Sequence, residues 1–220
     1  MSSKRSLLAA LLMAIAPAAV HAQFGLRGGV NLTKFVGGDA SNVEARRGIN
    51  LGMTVPLLRL GPISLVPEVY YSQKGAKQTS LFGTGADAFA LEVDYIEVPL
   101  LAKLSIPLTR SRAFSVYLAG GPAYAWNVKC SFSSLAAAGG VQAETENECG
   151  ETFGSFDTAM EKADRGIVFS GGLDFTVPGL GGLNLDARLV RGLARLREGD
   201  TASDVKNQAF SLMLGYYLGR

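Results

Sequence analysis

Hydrophobic and polar residues alternate with period 2 along most of this chain, in eight stretches of roughly ten residues or more. The clearest is Ala113 to Val128, AFSVYLAGGPAYAWNV. Phe114, Val116, Leu118, Gly120, Pro122, Tyr124, Trp126 and Val128 fall on one face; Ser115, Tyr117, Ala119, Gly121, Ala123, Ala125 and Asn127 fall on the other. Successive side chains of a strand point to opposite faces, so this is a strand with one oily and one small or polar face. The same pattern marks Phe24 to Thr33, Gly48 to Leu57, Ile63 to Gln73, Leu91 to Ile106, Gly166 to Val177, Leu183 to Leu193 and Gln208 to Leu218. Ten residues at ~3.3 Å each, tilted by ~40°, rise about 25 Å, the height of the apolar band of a membrane-spanning barrel.

The connections alternate in length. Leu58 to Pro62, Pro107 to Arg112 and Pro178 to Gly182 are short, whereas 34–47, 74–90, 129–165 and 194–207 are long. Outer-membrane barrels have short periplasmic turns and long external loops, an even strand number and therefore both termini on the periplasmic side. A soluble eight-stranded barrel has an apolar interior and a polar outer face; here the two faces are reversed. The pattern predicts an all-β, eight-stranded antiparallel up-and-down transmembrane barrel in the bacterial outer membrane. Aromatics on the oily face predict a girdle at each interface: Phe24, Phe114, Phe175 and Tyr216 near the periplasmic ends, and Tyr71, Tyr124, Trp126 and Phe169 towards the external ends.

The N-terminus supports export. Lys4 and Arg5 precede ten apolar residues, Leu7 to Ala16, and Val20-His21-Ala22 offers a cleavage site, so residues 1–22 are expected to be a signal peptide and 23–220 the barrel domain. The ten-residue apolar run is too short for a membrane helix, which needs ~20 residues. Losing Lys4 and Arg5 lowers Lys+Arg from 21 to nineteen, equal to the 19 acidic residues. A neutral mature chain gives no reason to expect a nucleic-acid partner. The single histidine, His21, leaves with the signal.

Several runs resemble the PorT-like family of bacterial outer-membrane β-barrel proteins: FGLRGGVNLT at the mature start, SLVPEVYYSQKG in the third stretch, DYIEVPLLAKLSIP in the fourth, AGGPAYAW in the fifth, and the run ending LVRGLARL. The resemblance covers essentially the whole mature chain, and the run holding Glu97 and Pro99 within an apolar strand is its most specific part. It implies a fold and a compartment, not an activity. One departure is the C-terminus, Tyr216-Tyr217-Leu218-Gly219-Arg220, where outer-membrane chains commonly end in an aromatic residue.

The inward face collects Arg27, Glu68, Glu97, Lys103, Asp174, Asp186 and Arg188. An eight-stranded barrel is just wide enough for side chains to fill it, so these charges are expected to pair and plug the lumen. Which cation meets Glu97 is left open among Arg27, Lys103 and Arg188. The sharper alternatives are an ion path or a carboxylate pair such as Glu68 and Glu97. Without a mature histidine, a Ser–His–Asp triad and histidine metal sites are excluded, and no phosphate-binding glycine motif is present; no catalytic, cofactor or metal residue is assigned. Asn31-Leu32-Thr33 matches a glycosylation pattern but falls within a strand of a presumed bacterial protein and is set aside. Cys130 and Cys149 share one connection of an exported chain and are expected to form a disulfide, the alternatives being free thiols or a metal pair. Glu144, Glu146, Glu148 and Glu151 form an acidic cluster with no cation-loop spacing, so a solvated loop is favoured over a cation site.

The expectation is a non-enzymatic, monomeric barrel without a cofactor. Its partners are outer-membrane lipid and an unidentified extracellular or periplasmic protein. It acts as a platform for loop-mediated binding or for envelope organisation and export. A narrow pore for ions or small solutes is the main rival, and a lipid-modifying enzyme is disfavoured by the missing histidine.

Overall fold

The computed structural model describes residues 24–37, 44–79, 88–138, 141–149, 162–177, 179–194 and 206–218. The expected signal peptide, Pro178 and Glu151 lie outside the described residues. Ten strands are formed among the described residues: β1 (Gly25–Val36), β2 (Glu44–Thr54), β3 (Leu58–Leu60), β4 (Ile63–Thr79), β5 (Ala88–Pro107), β6 (Phe114–Ala138), β7 (Val141–Glu148), β8 (Ala163–Val177), β9 (Gly181–Gly192) and β10 (Lys206–Tyr217). All pairings are antiparallel, and neighbours run β2-β1-β10-β9-β8-β6-β5-β4. β2 also pairs with β4, which closes the sheet into a barrel of eight walls. β3 continues the β2 wall along β4, and β7 is a flap hydrogen-bonded to the far end of β6.

The alternation places side chains as the sequence predicts. Leu118, Leu214 and Phe169 stand outside, and Arg27, Glu68, Tyr117 and Asp186 are buried inside. Closure removes every edge strand of the wall, which is the condition for crossing lipid with strands. The short-turn end also holds both described termini, where the Leu218 amide donates to the Phe24 carbonyl at 2.8 Å.

Several expected boundaries are corrected. β2 begins at Glu44 instead of Gly48, β4 runs on to Thr79, and β5 spans Ala88–Pro107. The expected loop 129–165 contains ten further residues of β6 and all of β7. The cause is physical. Twenty-five residues at ~3.3 Å, tilted by ~40°, rise far above the ~25 Å apolar band. Above the band neither face needs to be oily, so the period-2 signal fades while backbone pairing continues.

Candidate functional site

The inward charges form two clusters separated by a layer without charge. In the cluster nearer the short turns, Glu68 of β4 lies between two arginines. Arg27 Nη1 donates to its Oε1 at 2.8 Å, and Arg188 Nη1 meets its Oε2 at 2.7 Å. Asp186 completes a ring, 3.2 Å from Arg188 Nε and 3.7 Å from Arg27 Nη1. Two cations and two anions from β1, β4 and β9 thus balance in a space closed to water. Tyr117 Oη donates to Asp186 Oδ2 at 2.5 Å and accepts from Asn184 Nδ2 at 3.1 Å. Arg27 Nη2 donates to Tyr217 Oη at 2.5 Å, and the Arg188 guanidinium lies 5.0 Å from the Tyr70 ring centre. Lys103 pairs with Asp174 at 2.7 Å and sits 3.8 Å over the Tyr117 ring.

The second cluster is nearer the long loops. Glu97 Oε2 meets Lys74 Nζ at 2.7 Å, so its partner is none of the three cations that parity offered. Arg46 reaches Glu92 at 2.5 Å, and Asp164 accepts from Asn207 Nδ2 at 3.1 Å. On the other face of the wall, the girdle residue Tyr71 donates its Oη proton to Asp94 Oδ2 at 2.6 Å, outside the lumen cluster.

Between the clusters, Leu101, Ala123, Val168, Val190 and Ala209 form a contiguous apolar layer on five adjacent strands. The remaining wall carries a neutral network: Ser211 Oγ donates to Asn31 Oδ1 at 2.5 Å, and Asn31 Nδ2 donates to Ser72 Oγ at 3.0 Å. Val168 and Asn31 are both 0% exposed. Inward residues with no water-accessible surface mean that the lumen is filled at this level.

Every residue expected in the lumen network, Arg27, Glu68, Glu97, Lys103, Asp174, Asp186 and Arg188, is buried and ion-paired. Sequence reading missed Lys74, Arg46 and Asp164 because each lies beyond an assigned strand end. The signal for Lys74 was present: the inward series Ser64, Glu68, Tyr70, Ser72 continues onto it. It also missed a packing rule. Tyr70, Tyr117 and Tyr217 each lie opposite a glycine in register, Gly52, Gly172 and Gly25. A Cβ at those glycines would come within 2.3, 2.7 and 2.6 Å of the facing tyrosine ring. The glycines are seats for the tyrosines that hold the arginines and Asp186.

Of the girdle residues, Phe114 and Phe175 stack at 4.8 Å near the short-turn end, level with Tyr216 through Leu183 of the strand between them. Phe24 lies at the same end, half-buried. Tyr124 and Trp126 meet edge-on at 4.6 Å, and Trp126 lies level with Tyr71 through Ile96. Phe169 is a correction: it faces Gly120, midway along the membrane part of β6, because β8 begins at Ala163 and carries it down from the rim.

Cys130 and Cys149 form a disulfide with Cα atoms 5.3 Å apart. It does not staple an irregular loop. Cys130 is on β6 and Cys149 follows β7, so the bond closes the base of the flap, where the Cys149 amide donates to the Cys130 carbonyl at 3.1 Å. In register, Glu144, Glu146 and Glu148 face Leu135, Ser133 and Ser131. Reduction is expected to add two hydrogens to the mass and to leave the barrel folded, seen as unchanged resistance to gel denaturation before heating. The wall pairing from Phe114–Phe175 to Trp126–Ala163 lies below the bond and does not use it.

The family that the sequence matches agrees with this architecture. A family model described as outer membrane protein beta-barrel domain matches residues 17–197. Solved structures similar to this chain include the attachment invasion locus protein Ail of Yersinia pestis, at 15% identity and TM-score 0.42, covering 90% of this chain and 99% of that one. Neisserial surface protein A is similar at 12% identity and TM-score 0.45, with 88% and 96% covered. Outer membrane protein W of E. coli is similar at 18% identity and TM-score 0.46, with 89% and 97% covered. Comparison with curated proteins finds no match.

Proposed function

The chain belongs to the outer membrane protein β-barrel domain family and resides in the bacterial outer membrane, and we propose that it is a non-enzymatic platform with a closed lumen. Its flap and long loops bind a partner outside the cell, or the barrel serves envelope organisation or export. Within the family we infer PorT-like membership, supported by DYIEVPLLAKLSIP around Glu97 and by FGLRGGVNLT at the mature start. The protein acts as a monomer surrounded by lipid, and its partner is a protein.

One observation carries the closed-lumen reading: the uncharged, fully buried level of Leu101, Val168, Asn31 and Ser211 between two ion-paired clusters. An ion crossing it would lose its hydration with no charged or open polar group to replace it, at a cost of many kcal/mol. Single-channel recording on the refolded full chain in planar bilayers is expected to show no unitary steps. Stable ohmic steps would establish the narrow pore instead.

Orientation follows from loop length, with the flap outside and the short turns in the periplasm. On intact cells, a membrane-impermeant reductant followed by a membrane-impermeant maleimide is expected to label Cys130 and Cys149. Labelling only after the outer membrane is opened would reverse the topology.

A further inference from the structure

We propose that the short-turn mouth of the barrel is a binding site for a phosphate group. A cup of about 510 Å³ opens there, lined among others by Arg59, Arg112, Ser64, Ser105, Ser115 and Thr176. This volume lies within the range of sites for small ligands. Calling the cup periplasmic rests on the orientation above; its chemistry does not.

The charge at this end is all of one sign. Residues 55–63, 105–116 and 175–183, which build this end, contain Arg59, Arg110 and Arg112 and no Asp or Glu. Deeper in, Asp174 is already engaged by Lys103 at 2.7 Å and by Asn184 Nδ2 at 2.9 Å, so the floor is neutral. Among the described residues, every lumen cation has a carboxylate within 4.0 Å, whereas Arg59 and Arg112 have none. Two guanidiniums and several hydroxyls around one cup form a donor set for a tetrahedral oxyanion, because the planar fork of arginine matches two phosphate oxygens.

The backbone places both arginines at the cup. Arg59 sits on β3 between Leu58 and Leu60, which are 51% and 67% exposed on the outer face; alternation therefore turns Arg59 inward, in register with Ser64. Arg112 has φ 55°, a left-handed conformation that suits glycine or asparagine, in a turn where its amide donates to the Thr109 carbonyl at 3.0 Å. An arginine held at a glycine-type position lines the cup. A side chain kept against backbone preference points to a task for that side chain.

The phosphate has two possible sources. Exposed Leu58, Leu60, Leu108 and Leu180 surround the same end, so lipid headgroups of the facing leaflet lie near cup height. A soluble phosphate is the other source. The test uses the mature chain in maltoside micelles, which carry no phosphate, and follows amide signals by NMR. One arm adds inorganic phosphate and the other adds phosphatidylglycerol. Saturable shifts confined to Ser64, Ser105, Ser111, Arg112 and Ser115 are expected in at least one arm; the lipid arm alone assigns a headgroup, and the phosphate arm assigns a soluble anion.

Arg59→Gln with Arg112→Gln should weaken the affinity at least tenfold. Arg112→Gly should also weaken it, while the unfolding midpoint stays or rises because glycine suits this φ. Absence of saturable shifts in both arms overturns the proposal, as does undiminished affinity in the double variant. A lowered midpoint with intact binding for Arg112→Gly overturns the role of Arg112. Conductance is independent of every arm, so failure here and failure of the closed-lumen reading are told apart.

Discussion

Replacing Glu68 by alanine is expected to remove about 3–5 kcal/mol from the unfolding free energy, by analogy with other broken buried pairs. Glu68 is 2% exposed and serves two arginines. Its loss leaves Arg27 and Arg188 sharing Asp186, a net positive charge with no water to solvate it. Urea unfolding of the refolded barrel in detergent or lipid measures the loss. In a wet pore the same charges would be screened, and the change would stay within about 1 kcal/mol.

A second variant separates charge balance from side-chain loss. Glu68→Gln with Arg188→Met removes one cation along with the anion, leaving Arg27 opposite Asp186. The double variant is expected to be less destabilised than the two single losses combined, because each single variant strands a charge and the double does not. Additive losses would mean that the ring is not an electrostatic unit.

How much of this was legible in the sequence follows from where the membrane imposes a rule. Inside the apolar band an outward polar residue is costly, so alternation is strict, and Glu68, Asp174, Asp186 and Arg188 were placed inside by parity alone. Strand number, closure and the positions of the short turns came from the same constraint. Above the band the rule lapses. The residues Lys74 to Thr79, KGAKQT, are polar on both faces and were read as a connection, so the partner of Glu97 was lost with them. Pairing across the lumen was not legible either, since parity gives the side of the wall but neither height nor azimuth. The glycine seats were invisible for a related reason: a glycine opposite a tyrosine is recognised only after the register is known, and the register of Gly172 with Tyr117 joins residues 55 positions apart in the chain.

Those seats set the last prediction. Gly172→Ala is expected to destabilise the barrel by about 2.5–6 kcal/mol, whereas its neighbour Gly171→Ala should stay within about 1 kcal/mol. The two glycines are adjacent and lie on opposite faces. At Gly171 a Cβ would lie 3.3 Å from Leu118 Cδ2, the far end of a flexible outward side chain. At Gly172 it would lie 2.6 Å from Tyr117 Oη and 2.0 Å from the Leu185 carbonyl oxygen. Tyr117 must then move, and its bond to Asp186 breaks. Overpacking contributes ~1–3 kcal/mol and the lost hydrogen bond to a charged group ~1.5–3 kcal/mol. Shortening the tyrosine tests this division. In a Tyr117→Ala background the added cost of Gly172→Ala should fall, because the ring clash and the Asp186 bond are already gone. It should not vanish, because the Leu185 carbonyl still crowds the site. Equal costs for Gly171→Ala and Gly172→Ala in urea unfolding would show that Gly172 is not a seat for Tyr117 and that this glycine serves the strand backbone alone.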